Sequence, residues 1–299
     1  MRQATNLFAK RRYFAELYRP DSYRPDSRSG FYPWPFLEIK PVYMSMLIRK
    51  AALAVVLAFA LLPLAAQNND EVVSQWGSWF MYFGNHRLSD KWALHTEYQW
   101  RRSAGIRTWQ QSLARVGLNY FVGENAITTA GYAYIITYPY GQQPIAFTVQ
   151  EHRIWQELIL NQRAGRFHFQ HRYRLEQRWL EQREANIEGE PETTGWRYQN
   201  RARYRLFAAI PLNQPLMGRG AFFLGLYDEV FLGFGKNVSK KNVLDQNRFY
   251  AALGYQFLDT ANVQMGYLNH QVFKADGVRR EINHTFQLAL FYNLDFRSR

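Results

Sequence analysis

The run Arg166 to Leu180, R-F-H-F-Q-H-R-Y-R-L-E-Q-R-W-L, alternates between two kinds of side chain. The first set is mainly apolar and aromatic: Phe167, Phe169, His171, Tyr173, Leu175, Gln177 and Trp179. The second set is polar and mostly cationic: Arg166, His168, Gln170, Arg172, Arg174, Glu176 and Arg178. Successive side chains point to opposite sides only in an extended strand, so this period of two predicts a β-strand.

The predicted strand is longer than those of most soluble domains. A strand in a soluble domain typically has about 5 to 6 residues, whereas a tilted strand that crosses a bilayer needs about 9 to 11. Aromatic residues also lie near both ends of the apolar face, as in the interfacial girdles of membrane barrels. The run therefore predicts one strand of an outer-membrane β-barrel.

Similar alternation recurs along the chain and divides it into eleven segments. In chain order these are Ser74 to Phe83, Lys91 to Arg102, Trp109 to Val122, Ile127 to Tyr138, Phe147 to Gln162, Arg166 to Leu180, Trp196 to Ala209, Gly220 to Gly233, Asn247 to Phe257, Asn262 to Phe273 and Ile282 to Phe296. Single-chain bacterial barrels have even strand numbers, so we expect ten strands, if the first segment is not a full crossing, or twelve, if one was missed. The predicted fold is an all-β, transmembrane, antiparallel up-and-down barrel of about 10–12 strands.

Three longer connections interrupt these segments, namely Pro139 to Ala146, the acidic stretch Glu181 to Gly195, and Phe234 to Asp245. Long and short connections alternate from the third strand onward, which is typical of extracellular loops and periplasmic turns. The sequence L-Y-D-E-V-F breaks simple alternation and predicts a β-bulge.

The first 43 residues contain no periodic apolar pattern, and Y-R-P-D-S occurs there twice in tandem. We interpret residues 1–43 as disordered, or as an upstream extension if translation begins at Met44 or Met46.

Residues 44–66 have the order of a cleaved secretory signal peptide: Arg49 and Lys50, then the apolar run Ala51 to Leu62, then P-L-A-A. Cleavage is expected before Gln67, which leaves residues 67–299 as the barrel. A membrane anchor is the alternative, but the uninterrupted run is shorter than the roughly 18 residues of a spanning helix.

Composition narrows the class further. Aromatic residues make up 17% of the chain and the mean hydropathy is −0.42, which excludes a bundle of transmembrane helices but suits a barrel in which every second strand residue faces lipid. There is no cysteine, and hence no disulfide, thiolate metal site or lipid-modified cysteine. The chain has a net charge of +13, of which residues 68–299 carry +7. Most of these cations are arginines within the predicted strands, where a planar, permanently charged group suits a crowded interior.

If the polar faces point inward, thirteen charged residues are candidates to line the lumen. They are Arg101, Arg115, Glu151, Arg153, Glu157, Arg172, Arg174, Glu176, Arg178, Arg201, Arg203, Arg205 and Arg248, and Glu97 shares their face. Rings of fixed positive charge would favour a small porin-like passage for anionic solutes. A barrel of this size can instead be filled by its side chains, and interleaved Arg and Glu would then form a structural plug. Buried charges must be paired, and each carboxylate here has arginine neighbours, which favours the plug.

A lipid-modifying outer-membrane hydrolase is the alternative of a different class. The histidines to consider are His86, His95, His152, His168, His171, His270 and His284. No G-x-S-x-G is present and no serine has a recognisable nucleophile context, so we predict no catalytic residue, and no cofactor or metal ligand either. His168 and His171 lie on opposite strand faces, which makes them poor co-ligands. A soluble periplasmic barrel would alternate too, but strand length and the aromatic face argue against it. A nucleic-acid partner is not expected for an exported chain.

Several spaced motifs together resemble one known family. They are the turn L-S-D-K-W at Leu88, E-H-R-I-W-Q-E-L at Glu151, H-R-Y-R-L-E-Q-R at His171, D-E-V-F-L at Asp228, and Q-N-R-F-Y-A-A-L-G-Y-Q-F at Gln246. The combination, from Gln75 to Phe296, resembles the domain-of-unknown-function 2490 family. That resemblance implies an uncharacterised Gram-negative outer-membrane barrel with no assigned activity.

The C-terminal segment adds an expected partner. Phe296 follows a run of alternating apolar residues and looks like the signal read by the barrel-assembly machinery, although Arg297-Ser298-Arg299 follow it. The expected partners are therefore outer-membrane lipid, this machinery through the last strand, and small anionic solutes.

Overall fold

The computed structural model describes residues 71–142, 144–239 and 243–297. These residues contain eleven strands: β1 (Glu71–Arg87), β2 (Trp92–Ser103), β3 (Thr108–Phe121), β4 (Ala126–Thr137), β5 (Val149–Ala164), β6 (Phe167–Ala185), β7 (Pro191–Pro211), β8 (Phe222–Phe234), β9 (Leu244–Leu258), β10 (Ala261–Phe273) and β11 (Arg279–Tyr292). The described ranges include no helix long and apolar enough to cross a membrane. The predicted disordered segment 1–43 and signal peptide 44–66 lie outside the described residues.

The eleven strands form one closed barrel. Each strand pairs with the next in antiparallel orientation, and β1 pairs with β11 in parallel over Glu71–Phe83. An up-and-down chain with an odd number of strands ends in the direction in which it began, so only a parallel pair can close it. The expectation of ten or twelve strands was therefore wrong, because all eleven predicted segments form strands and the first is a full-length strand of 17 residues.

The strands are strongly staggered around the barrel. Starting from Arg87, the residue paired with it on each next strand can be followed once around the barrel. This path returns to β1 at Val73, fourteen residues before Arg87. Closure of a sheet requires such a stagger together with a strand tilt, which is about 35–45° in typical barrels. Inward side chains from distant strands can therefore meet at one height.

The connections form two rims. We define the upper rim by residues 104–107, 138–142, 144–148, 186–190, 235–239, 243 and 274–278, and the lower rim by 88–91, 122–125, 165–166, 212–221 and 259–260. The upper rim carries most of the longer loops, as the alternation predicted, but 212–221 lies at the lower rim. Since β1 begins at the upper rim and β11 ends at the lower rim, the two ends of the barrel chain lie at opposite rims.

Three local predictions need correction. The stretch 181–195 is not a long loop, because β6 and β7 stay paired as far as Ala185 and Pro191 and project beyond the neighbouring strands as a hairpin. The predicted bulge lies next to L-Y-D-E-V-F and not within it, because the register shift skips Asp245 in β9. The last strand ends at Tyr292.

The outer and inner faces differ in polarity along every strand. The outer face exposes large apolar side chains, among them Tyr98, Val116, Leu118, Ile154, Leu158, Tyr173, Leu175, Leu224, Leu226, Phe249, Leu253, Met265, Phe286 and Leu290. Aromatic pairs lie on this face near the strand ends: Trp92–Tyr120 and Phe222–Tyr255 at the lower rim, and Trp109–Tyr138 at the upper rim. The inner face is polar apart from a few buried groups such as Trp79, Trp155 and Phe231.

Candidate functional site

The interior of the barrel holds a layer of charged side chains, which we call the central belt. It comprises ten arginines and five glutamates: Arg101, Arg115, Arg153, Arg172, Arg174, Arg178, Arg201, Arg203, Arg205, Arg248, Glu97, Glu151, Glu157, Glu176 and Glu229. All thirteen residues that the sequence placed in the lumen lie in this belt. The fifteen belt residues come from seven strands because the stagger brings different strand positions to one height.

Glu176 on β6 is the centre of the belt and is fully buried. Its carboxylate lies 2.7 Å from Arg203, 2.7 Å from Arg201 and 3.1 Å from Arg153. Arg115 on β3 approaches it to 3.8 Å, although β4 and β5 separate these two strands in the wall. The Arg115–Glu176 contact therefore runs through the lumen.

Glu229 on β8 forms a second centre that the sequence analysis missed. Its Oε1 lies 2.6 Å from Arg172 and 2.6 Å from Arg203. Sequence reasoning missed Glu229 because two acids, Asp228 and Glu229, are adjacent in L-Y-D-E-V-F and make the alternation look broken. The period of two in fact continues, with Tyr227, Glu229 and Phe231 inside, and this phase was the signal that could have found it.

The remaining belt carboxylates have partners on their own or neighbouring strands. Glu97 contacts Arg115 at 2.6 Å, and Glu157 contacts Arg174 at 2.5 Å. Glu151 contacts two arginines, Arg153 at 2.6 Å and Arg178 at 2.7 Å. Every belt carboxylate is thus paired, as buried charges require.

Three belt arginines have no carboxylate within 4.0 Å among the described residues. Arg205 donates to the amide oxygen of Gln170 at 2.6 Å, and Arg248 donates to Gln246 at 3.1 Å. Arg101 donates to Gln99 and Gln111. An amide oxygen orients a guanidinium but does not neutralise it.

Two of these arginines share one aromatic ring. The guanidinium carbons of Arg101 and Arg248 lie 3.9 and 5.0 Å from the centroid of Trp79, within the range of cation–π attraction. Trp79 is buried, and its indole nitrogen donates to Gln110 at 2.7 Å. The ring is therefore held in contact with two permanent cations.

The belt separates two cavities. An upper cavity of about 350 Å³ opens toward the upper rim, and a lower cavity of about 230 Å³ lies on the other side. Both are lined by Trp79, Arg115, Arg203 and Arg248, which form the layer between them.

The connection 138–148 contributes to the upper cavity. Tyr140 and Ile145 line it, and the Tyr140 hydroxyl donates to Glu281 on β11 at 3.4 Å. Burial, together with the nearby Glu281 carboxylate, raises the pKa of Tyr140 to about 12, so the hydroxyl remains a donor at neutral pH. This loop therefore lies over the upper mouth of the barrel.

The histidines make local hydrogen bonds. On the outer face His152 and His284 each contact a tyrosine hydroxyl at 2.6 Å, and inside the barrel His270 contacts Gln246 at 3.0 Å. Within the described ranges, no group of three or more acidic or histidine side chains is arranged to hold a metal ion.

A family model described as "Protein of unknown function (DUF2490)" matches residues 76–281. The chain belongs to this family. The DUF2490 match runs from β1 to the start of β11, so it covers the entire belt. No curated protein and no solved structure matches the chain.

Proposed function

We propose that this DUF2490 protein is an outer-membrane β-barrel whose lumen is closed at mid-height by the central belt, and which acts as a structural barrel and not as an open pore. The exposed apolar outer face supports a lipid environment, because a soluble protein rarely exposes a contiguous apolar band of this extent. Aromatic pairs near both rims support it further, since interfacial girdles flank the apolar band of membrane barrels.

The contact between Arg115 and Glu176 carries the argument for closure. It joins strands that are not neighbours, so the two side chains obstruct the lumen and do not merely line it. Arg172 on β6 reaches Glu229 on β8 in the same way. Removing one partner of a buried ion pair costs about 3 to 5 kcal/mol, so thermal motion alone opens such a belt rarely.

Export and assembly follow from the same proposal. The signal peptide would deliver residues 67–299 to the periplasm, and β11 with the following segment to Phe296 would be read by the barrel-assembly machinery. Phe296 is exposed at the lower rim, where its backbone nitrogen donates to Arg87 at 2.9 Å. In this orientation the lower rim faces the periplasm and the upper rim faces the outside.

A passage that favours small anionic solutes is the second candidate. The observation in its favour is that the two cavities share four lining side chains, so a single layer of residues separates them at that point. A rearrangement of that layer would join them, and the arginine excess would then select anions.

We assign no catalytic step to the barrel. The histidines contact tyrosine, threonine, asparagine and glutamine, and His95 also lies 3.4 Å from the Glu97 carboxylate. Glu97 is itself paired with Arg115 at 2.6 Å, which supports a structural role for this contact.

Conductance across a planar bilayer tests the proposal. The purified barrel should show little or no steady conductance, and Glu176→Gln should produce openings because four arginines lose their common partner. Glu184→Gln, at the exposed tip of the β6–β7 hairpin, is the matched control and should behave as the wild type. A steady anion-selective current through the wild-type protein would contradict the closed barrel and support the anion-selective passage.

A further inference from the structure

The belt has more positive than negative charge. Its ten arginines face five glutamates, and Asp245, which contacts Arg201 at 2.9 Å, offsets one further charge. Four positive charges therefore remain in the interior. Burying uncompensated charge is costly, and arginine cannot lose its proton to relieve it. Anions from solution are the remaining source of compensation.

The upper cavity has the larger excess of positive charge of the two. Arg101 and Arg248, which have no carboxylate partner among the described residues, both line it, and Arg248 also lines the lower cavity together with Arg205. Eight arginines line the upper cavity against Glu151 and Glu181, whereas five line the lower cavity against Glu97 and Glu229. The upper cavity is thus the more cationic of the two.

Two buried guanidinium nitrogens in its wall have no hydrogen-bond partner. They are Nε of Arg248, whose residue is 8% exposed, and Nε of Arg115, whose residue is 7% exposed. Buried donors without partners are uncommon, so an acceptor is expected beside them. Nδ1 of His270 also has no partner, but Nε2 of that ring faces the Gln246 oxygen that accepts from Arg248, so Nδ1 is an acceptor and offers nothing to an anion.

We propose that the upper cavity binds a small oxyanion, such as phosphate or a short dicarboxylate, against the guanidinium groups of Arg101 and Arg248 that line it. A guanidinium presents two parallel donors that match the oxygens of a carboxylate or phosphate. The glutamine oxygens hold these forks in place, so little conformational entropy is lost on binding. The anion would enter from the upper rim as a free solute, because the cavity walls are inner-face residues with no access to lipid. This inference goes beyond the proposed function, since a closed barrel need not bind anything.

Isothermal titration calorimetry on the folded, full-length barrel in detergent tests the site. The probes are inorganic phosphate and succinate, each titrated at constant ionic strength against a chloride background. We expect saturable binding of at least one probe. Arg248→Gln and Arg101→Gln should each weaken it about tenfold or more, since each removes a charge-assisted contact.

Arg102→Gln is the matched control. Arg102 lies next to Arg101 on the opposite face of β2, where its guanidinium donates to the backbone oxygens of Ile106 and Arg107 at 2.9 Å. Arg102→Gln removes the same charge as Arg101→Gln and should leave the affinity for the probe unchanged. If Arg101→Gln fails to fold, Arg248→Gln decides alone, because Arg248 donates to one amide oxygen, whereas Arg101 donates to two.

The inference is overturned if neither probe binds saturably, or if Arg102→Gln weakens binding as much as the two cavity variants. The oxyanion site and the closed barrel can fail independently, because calorimetry requires no membrane and conductance requires no bound anion.

Discussion

Arg115 and Glu176 meet at 3.8 Å across the lumen, although two strands lie between theirs in the barrel wall. Glu176 is also held by Arg153, Arg201 and Arg203, so one carboxylate joins side chains from β3, β5, β6 and β7. A link between so many strands couples their positions. The belt is therefore expected to contribute to the stability of the barrel as well as to its closure.

Glu176→Gln keeps the size of the side chain but removes the charge that four arginines share. We expect a loss of about 3 to 5 kcal/mol in the free energy of unfolding, because the arginines remain buried without compensation. Urea titration followed by the electrophoretic shift of folded barrel would measure it. Glu184→Gln at the exposed hairpin tip should cost almost nothing, and equal midpoints for the two variants would contradict a role of the belt in stability.

Leu175→Arg tests the membrane environment of the outer face. Leu175 is 47% exposed near the middle of β6, and an arginine at the bilayer midplane of a barrel costs about 2 to 4 kcal/mol. Leu216, in the connection 212–221 at the lower rim, is also 47% exposed and supplies the same substitution outside the apolar band. Folding yield into lipid vesicles should fall for Leu175→Arg alone. Equal yields would mean that no membrane surrounds this face.

Gly117→Ala tests the packing of the inner apolar groups. Trp155 is fully buried and lies against Gly117, where an added Cβ would be 2.9 Å from Cζ2 of the ring. The ring has to move, and overpacking of this kind costs about 1 to 3 kcal/mol. Gly195→Ala in β7, whose added Cβ has its nearest neighbour at 3.8 Å, should be neutral. Comparing the denaturant midpoints of the two variants checks this, and an unchanged Gly117→Ala protein would show that the wall adapts freely.

Processing should remove residues 1–66. The charged, apolar and small-residue order of 44–66 predicts cleavage before Gln67. N-terminal sequencing of the membrane-extracted protein identifies its first residue directly. Expression from Met44 should yield the same mature N-terminus. A protein that retains Met1 in the membrane would rule out the signal peptide.

Much of the wall could be predicted from the sequence. Alternation placed Arg172, Arg174 and Glu176 on one face of β6 and Tyr173 and Leu175 on the other, and the structure has them so. The periodicity is local, because the direction of a strand side chain depends only on its own backbone. For the same reason the eleven segments were recognisable one by one.

The tertiary structure decided how the segments combine. Closure through a parallel β1–β11 pair and the contacts of Glu229 with Arg172 and Arg203 depend on neighbours that are distant in sequence. The same holds for the cross-lumen contact of Arg115 with Glu176. Alternation by itself determined which side chains face inward. The stagger of the closed wall determined which of them meet, because only closure brings non-neighbouring strands to the same height, within reach of an ion pair.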